Sequence, residues 1–295
     1  EESSRFQYSQ VHMGGRVEVT LYAQTEQAAI EAAEAAFQRF AQIEDVLSDY
    51  RPTSEARRLT DKPLQGPVRA SAELLFMTQK SQELYRASEG AFDITVSPVI
   101  ALWREARQKQ ALPSSEAIAR ARRFTGMRFI EVDPSASTIN VTKPWMRLDF
   151  GGIAKGYACD EALKVLKAKG IDRAMIQAGG DLAVSGPPPG TKGWTISVAG
   201  HPGLRVHLKH QAMSTSGDSE QFVEIDGTRY SHIVDPKTGY GVTSRIQATV
   251  IGPRGLETDP LATACCILGE EKGTALTRQY GCRVIFKVIS SRPRS

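Results

Sequence analysis

Residues Met146 to Tyr157, reading MRLDFGGIAKGY, pass from an apolar strand into a helix through paired glycines, with an acid before them and a lysine after. Such a junction suits a phosphate or a metal. Gly151 and Gly152 lack a Cβ, so a ligand can approach their backbone, and the following helix points unpaired N–H groups at the same place. Asp149 suits a metal or a polar ligand edge, and Lys155 suits an anion. The same residues also fit a plain strand-to-helix turn whose glycines only satisfy backbone geometry.

Other segments offer related chemistry. Asp259 and Thr263 are four apart at the start of an apolar helix, hence on one face, and two oxygen ligands there suit a hard cation such as Mg²⁺. An acid near a helix start, with Pro260 in the first turn, is also what the helix dipole favours, although that leaves Thr263 unexplained. Gly179-Gly180-Asp181 and Ser214-Thr215-Ser216-Gly217-Asp218 read as two loops of a polyphosphate cradle or as ordinary turns. His232 ends a predicted hairpin strand, where an imidazole can accept a proton near neutral pH. Asp93 and Thr95 follow the helix stop at Gly90, where Asp93 can meet a ligand or cap its own turn.

The elements that must position these groups follow from periodicity. A strand is predicted at 16–22, followed by a long alanine-rich amphipathic helix to Leu47, with a helical turn at 54–59, a helix at 71–88 and another at 115–124. A hairpin is expected from 128–132 and 137–142, and the junction's own helix runs over about 156–169, ended by Gly170. Strands follow at 173–178, 181–185, 194–199, 204–209, 221–225, 228–233 and 245–251, with Asp226-Gly227 as a hairpin turn. Helices over 256–268 and 272–280 and a strand over 282–289 close the chain before a basic, frayed tail at 290–295. Long helices among hairpin-linked strands indicate an α+β class with mixed, largely antiparallel sheets and packed helices.

The 295 residues, 41% of them hydrophobic, suffice for one large domain or two intimately packed subdomains. A formal charge of +4 spread over 37 basic and 33 acidic residues leaves no basic block, so nucleic acid is not expected as a partner. Cys159, Cys265, Cys266 and Cys282 match no zinc or redox spacing and read as packing, with a disulfide to Cys282 as the alternative. No apolar run long enough to span a membrane appears, and Glu1-Glu2-Ser3-Ser4-Arg5 does not read as a signal peptide, so either the protein is cytosolic or an export signal lies outside this sequence.

Taken in order, these segments resemble the ApbE family of FAD:protein FMN transferases. The resemblance runs from His12-Met13-Gly14 through Ser48-Asp49-Tyr50, Gly90-Ala91-Phe92-Asp93 and Leu148 to Tyr157, then Gly179-Gly180-Asp181, Thr215-Ser216-Gly217-Asp218, Ser231-His232-Ile233-Val234-Asp235-Pro236 and Asp259 to Thr263. It implies a T-fold-like architecture that binds FAD and Mg²⁺ and cuts the FAD pyrophosphate, placing FMN on the Ser/Thr flavinylation motif of an acceptor protein and releasing AMP. By the same resemblance Met13, Tyr50, Ala91, Phe92, Asp93, Asp149, Lys155 and Ile233 line the FAD site. Gly152, by its carbonyl, and Asp259 and Thr263, by side chain, hold the metal, and His232 is the base. Gly15, Pro260 and Ser219 depart from the family pattern, which bears on substrate fit more than on reaction type.

Two other functions use the same residues: Mg²⁺-dependent hydrolysis of FAD to FMN and AMP, and FAD binding without chemistry. Retention of Asp259, Thr263 and His232 argues against the second. The family resemblance further implies a periplasmic or other extracytoplasmic location, often as a lipoprotein, with any membrane tether outside this sequence.

Overall fold

A computed structural model describes residues 3–61, 66–217 and 221–289. β1 (Ser4–His12) and β2 (Gly15–Ala23) form a hairpin, followed by α1 (Glu26–Leu47), α2 (Glu55–Thr60), β3 (Val68–Arg69), α3 (Ala72–Ala87), α4 (Ser97–Lys109) and α5 (Ser115–Arg122). The hairpin of β4 (Ile130–Asp133) and β5 (Thr138–Val141) precedes α6 (Ala154–Ala168). The strand-rich half holds β6 (Ala174–Ala178), β7 (Asp181–Val184), β8 (Trp194–Ser197), β9 (Arg205–Leu208), β10 (Gln211–Ser216), β11 (Phe222–Ile225), β12 (Thr228–Ser231) and β13 (Ile246–Gly252). α7 (Gly255–Gln279) and β14 (Arg283–Val288) come last.

Seven strands join in one sheet, β1-β2-β6-β7-β10-β13-β14, with every neighbouring pair antiparallel. Successive strand side chains point to opposite faces, and this sheet uses both. Val17, Val19, Leu21, Ile176, Ala183, Ala212, Ala248 and Val250 join the main core with α1, α6 and α7. Leu182, Val184, Met213 and Ile251 instead meet Trp194, Val206 and Leu208 of the β8–β9 hairpin on the other face. By the same alternation Asp181, Ser214 and Ser216 fall on the helix side of the sheet, with Ala183 and Ala212. That is how polar groups reach the helix interface.

α1 is capped by the Thr25 hydroxyl and buries Ala29, Ala32, Ala33, Ala36, Phe37 and Phe40. Its alanines let α6 pack close, and a partly buried network clasps α1, α3 and α6: Arg39 reaches Glu161 at 2.9 Å, and Tyr157 donates to Glu73 at 2.8 Å. α6 and α7 approach more closely still. A Cβ on Gly156 would lie 2.1 Å from the Gly255 carbonyl oxygen, and one on Gly255 would lie 2.3 Å from that of Gly156. Only glycine at both positions permits this crossing.

Most expected elements are found within a residue or two, including the break between the two C-terminal helices, where Gly269 at φ +78° interrupts α7. Four differences stand out. Residues 4–12, given no element by the sequence reading, form the edge strand β1, joined to β2 by a two-residue turn at Met13 and Gly14, both with positive φ. Residues 97–109, likewise given no element, form α4: Pro98 sits in its first turn, and Val99, Trp103 and Ala106 cover the β11–β12 hairpin. Ser214 to Ser216, read as loop, belongs to the interior strand β10. Pro260 lies inside α7 beyond its first turn, where its missing N–H leaves the Leu256 carbonyl without the usual helical donor. All four cysteines are buried free thiols, so no disulfide joins Cys282. Asp218, Ser219 and the 290–295 tail lie outside the described residues. Among the described residues no helix is long and apolar enough to cross a membrane.

Gly156→Ala should drive its methyl group into backbone rather than into a flexible side chain. We expect a loss of about 2 kcal/mol or more in unfolding free energy by urea titration; an unchanged midpoint would refute the close helix crossing.

Candidate active site

The paired glycines of the 146–157 junction open α6 beside the first turns of α7. Asp259 Oδ2 accepts the Gly156 N–H at 3.0 Å, so an α7 carboxylate caps the start of α6. In return Asp160 of α6 accepts the N–H groups of Gly255 and Leu256, at 2.8 and 2.9 Å, at the start of α7. Gly152 is beside Phe92 and Thr263: a Cβ there would lie 3.4 Å from the Phe92 ring and 3.6 Å from Thr263 Oγ1. Gly152, Asp259 and Thr263, three residues from two distant segments, therefore border one locality.

Lys155 and Asp181 complete it. Lys155 Nζ is 3.4 Å from Asp181 Oδ2, and Asp181 stands at the end of the tight β6–β7 turn formed by Gly179 and Gly180. A Cβ on Gly180 would meet the Thr215 carbonyl oxygen at 2.6 Å, which explains why this turn is so small. Asp181 chiefly, then Asp259, raises the Lys155 pKa against the opposing effect of burial, so its ammonium stays charged. Burial first, then Asp181, pushes the Asp259 carboxyl well above the usual carboxylate range, while Lys155 and the N–H groups of Gly156 and Lys155 oppose that. Lys155 pairs with Asp181, so the ionised form of Asp259 has no cation of its own and is disfavoured. Hydroxyl groups extend the locality: Ser214 meets Thr258 at 2.8 Å, and Ser216 meets Thr263 at 3.3 Å.

A second polar group adjoins the junction from the other side. The Asp149 N–H donates to the Ile94 carbonyl at 2.7 Å, holding the Gly90 to Asp93 turn against the glycine pair. Arg104 of α4 lies 3.5 Å from Asp49 and 3.7 Å from Asp149, with its guanidinium 4.6 Å from the Tyr50 ring centroid. Burial and then Asp149 raise the Asp49 carboxyl, and Arg104 counters both. Asp93 gives one oxygen to its own turn, accepting from Thr95 N–H and Oγ1 at 2.8 and 2.6 Å. Ala91, Phe92 and Ile233 are buried in the main core, with Met13 packed against it, and Tyr50 is exposed.

Met13 and Tyr50 are linked through Glu44, a buried acid near the end of α1. Glu44 accepts the Met13 N–H at 2.7 Å, lies 3.3 Å from His12 Nδ1 and accepts from Arg51 at 3.2 Å. One carboxylate thus fixes the β1–β2 turn against the loop carrying Tyr50. His232 lies just past β12. Its Nδ1 is 3.0 Å from the Gln221 carbonyl, which can only accept, so Nδ1 carries the proton and a neutral ring has its lone pair on Nε2. The loop beyond it is pinned by Trp103, whose indole N–H donates to the Gly239 carbonyl at 2.8 Å.

The structure brings Gly152, Lys155, Asp259 and Thr263 together, and joins Tyr50 to Asp149 through Arg104. Sequence reasoning missed Arg104 and Glu44. Neither sits in a glycine or hydroxyl motif, and α4 itself went unassigned, so only the folded arrangement reveals them. Among the described residues no cluster of three or more His, Cys, Asp or Glu side chains could hold a metal. A cation here would instead draw on one carboxylate, one hydroxyl and one backbone carbonyl, a hard, all-oxygen set that fits Mg²⁺ rather than zinc.

Comparison with known proteins bears on the whole arrangement. A FAD:protein FMN transferase of Vibrio cholerae is 30% identical, over 84% of this chain and 76% of its own length. A protein of the same name from Treponema pallidum is 29% identical, over 98% of this chain and 86% of its own. The crystal structure of the Pseudomonas stutzeri flavinyl transferase ApbE, apo form, matches with a TM-score of 0.87 at 29% identity, covering 99% of this chain and 93% of that one. The ApbE family model spans residues 13–286, from the Met13 turn through α7 to β14, and this chain belongs to the ApbE family.

Proposed function

We propose that this protein transfers FMN from FAD to a serine or threonine hydroxyl of an acceptor protein, forming a phosphoester and releasing AMP. The observation carrying this reading is the meeting of Lys155, Asp181, Asp259, Thr263 and Gly152 around the start of α6, where a lysine beside carboxylate, hydroxyl and carbonyl oxygens suits a pyrophosphate that brings its metal. The family relatives named above support it.

In this reading the acceptor oxygen attacks the phosphorus on the FMN side, the bond from that phosphorus to the AMP oxygen breaks, and the hydroxyl proton passes to His232 Nε2. Gly152, Asp259 and Thr263 hold Mg²⁺, which when bound neutralises charge on the pyrophosphate and the departing AMP. Lys155 holds a phosphate oxygen, and its contact with Asp181 fixes where the ammonium sits. Ala91, Phe92 and Ile233 give the flavin an apolar wall, Met13 and Tyr50 border it, and Asp93 and Asp149 accept from its polar edge. Arg104 orients Tyr50 and Asp149 without belonging to either motif.

Incubation of the protein with FAD, Mg²⁺ and an acceptor bearing a Ser/Thr flavinylation motif should release AMP and raise the acceptor mass by one FMN. AMP without a labelled acceptor identifies a hydrolase instead, and the absence of both products sinks the reading. Asp259→Ala should lower turnover roughly a hundredfold or more and abolish its response to Mg²⁺; full activity with an unchanged Mg²⁺ dependence would reject the ligand assignment. Arg104→Gln should raise the KM for FAD roughly tenfold while leaving kcat within about twofold, the pattern of lost substrate binding. A fall in kcat alone would instead place Arg104 in the chemical step.

A further inference from the structure

We propose that the cavity walled by α2, β3 and the segment between β5 and Met146 docks an acidic stretch of the acceptor protein, with Trp145 as its apolar anchor. That the occupant is the acceptor rests on the transferase reading above; the pocket and its charge do not. The cavity is about 240 Å³, below the roughly 300–1,000 Å³ usual for small-molecule sites. It therefore suits one or two side chains of a larger partner better than a dinucleotide.

Its lining is cationic. Arg58, Arg69 and Lys143 face it, against Glu55 as the single carboxylate among the described residues, and Glu55 is already engaged by the Ser71 N–H at 2.7 Å. Arg58 and Arg69 are exposed and form no ion pair with any described residue. Lys143 lies 4.8 Å from the Phe129 ring rather than against an acid.

Trp145 adds a second, independent sign. It is 80% exposed at the cavity rim and has φ +67°, so the chain bears both an uncovered indole and a left-handed backbone at one residue. Such strain persists where surrounding structure enforces it and function uses it. Val68, also exposed, continues the apolar surface beside it. Tryptophan and arginine together are the residue types that dominate binding energy at protein interfaces, and unpaired surface cations select and steer an acidic partner.

The position fits an acceptor. Arg57 of α2 donates to the Asp49 carbonyl at 2.6 Å, and Trp145 precedes Asp149 on one short segment. Asp49 and Asp149 share Arg104, so both walls of the cavity continue into the flavin side of the site. A segment seated there rests on the same stretches of chain that carry Asp49 and Asp149.

The test uses the whole chain and two fluorescein-labelled peptides, each with a central Ser-Thr pair and one Leu. One carries flanking Asp and Glu, and the other carries Asn and Gln at those positions. Anisotropy should show the acidic peptide binding at least roughly tenfold more tightly, with the preference shrinking as salt rises. Trp145→Ala, and separately the double change Arg58→Ala with Arg69→Ala, should each weaken that binding roughly tenfold while leaving FAD affinity, read by flavin fluorescence, unchanged. Equal binding of the two peptides, or indifference to these substitutions, overturns the proposal. So does a parallel loss of FAD affinity, which would assign the cavity to FAD. A wild-type protein that fails to bind FAD counts against the transferase reading alone, because peptide anisotropy reads the pocket without any turnover.

Discussion

Two helices that cap each other hold the candidate site in place. Asp259 of α7 satisfies an N–H at the start of α6, and Asp160 of α6 satisfies two at the start of α7. Each helix leaves its first N–H groups without intrahelical partners, and an unpaired buried donor is costly. The reciprocal arrangement answers both ends at once, but only if the backbones come within contact at Gly156 and Gly255. Once they do, the positions of Lys155 on α6 and Thr263 on α7 follow from helix geometry.

The electrostatics follow from that packing. Drawing Asp259 into the crossing buries it near Asp181, and the two acids raise Lys155 while burial raises both carboxyls. Asp160 shows the simpler case, in which burial pushes the carboxyl up to about 6 while its two backbone donors pull it down. The difference lies in surroundings. Asp160 is fully used as a cap, whereas Asp259 caps with Oδ2 and also faces Asp181, which disfavours its ionised form. A locality built this way gains most from a bound cation, which is why an acid can be both a helix cap and a metal ligand candidate.

Much of this was legible in the sequence, and the gaps have physical causes. Helices α1, α2, α3 and α5 were readable because their apolar positions recur at helical spacing and serine or threonine stands at their starts, as Thr25, Ser54, Ser71 and Ser114 do. β10 was hidden because its helix-facing residues, Ala212, Ser214 and Ser216, are small and hydroxylic, a composition that also describes turns. They are small because α7 lies directly over them. β1 was hidden because an exposed edge strand needs little apolar alternation, and α4 because Ser97-Pro98 looks like a break although proline is comfortable in a first turn. Glycine and acid motifs marked the junction, yet the partners that make it a site, Asp160 with Gly255 and Arg104 with Asp49, are contacts between distant segments that no local spacing encodes.

The two polar groups also differ in how they are held. The Lys155 group rests on regular elements: two helix starts and a hairpin turn fixed against β10. The Tyr50 group rests on loops, and its order comes from individual side chains, with Glu44 tying the Met13 turn to Arg51 and Arg104 tying Asp49 to Asp149. The family departures within the described residues divide the same way. Gly15 follows the Met13 turn on the loop-held side, where a small change in shape alters which ligand edge fits. Pro260 falls within α7, where neighbouring Asp259 still reaches Gly156, so the loss of one helical N–H leaves the capping geometry intact. The candidate metal and phosphate ligands are therefore held by regular elements, and the candidate flavin contacts by single side chains that a substitution can change.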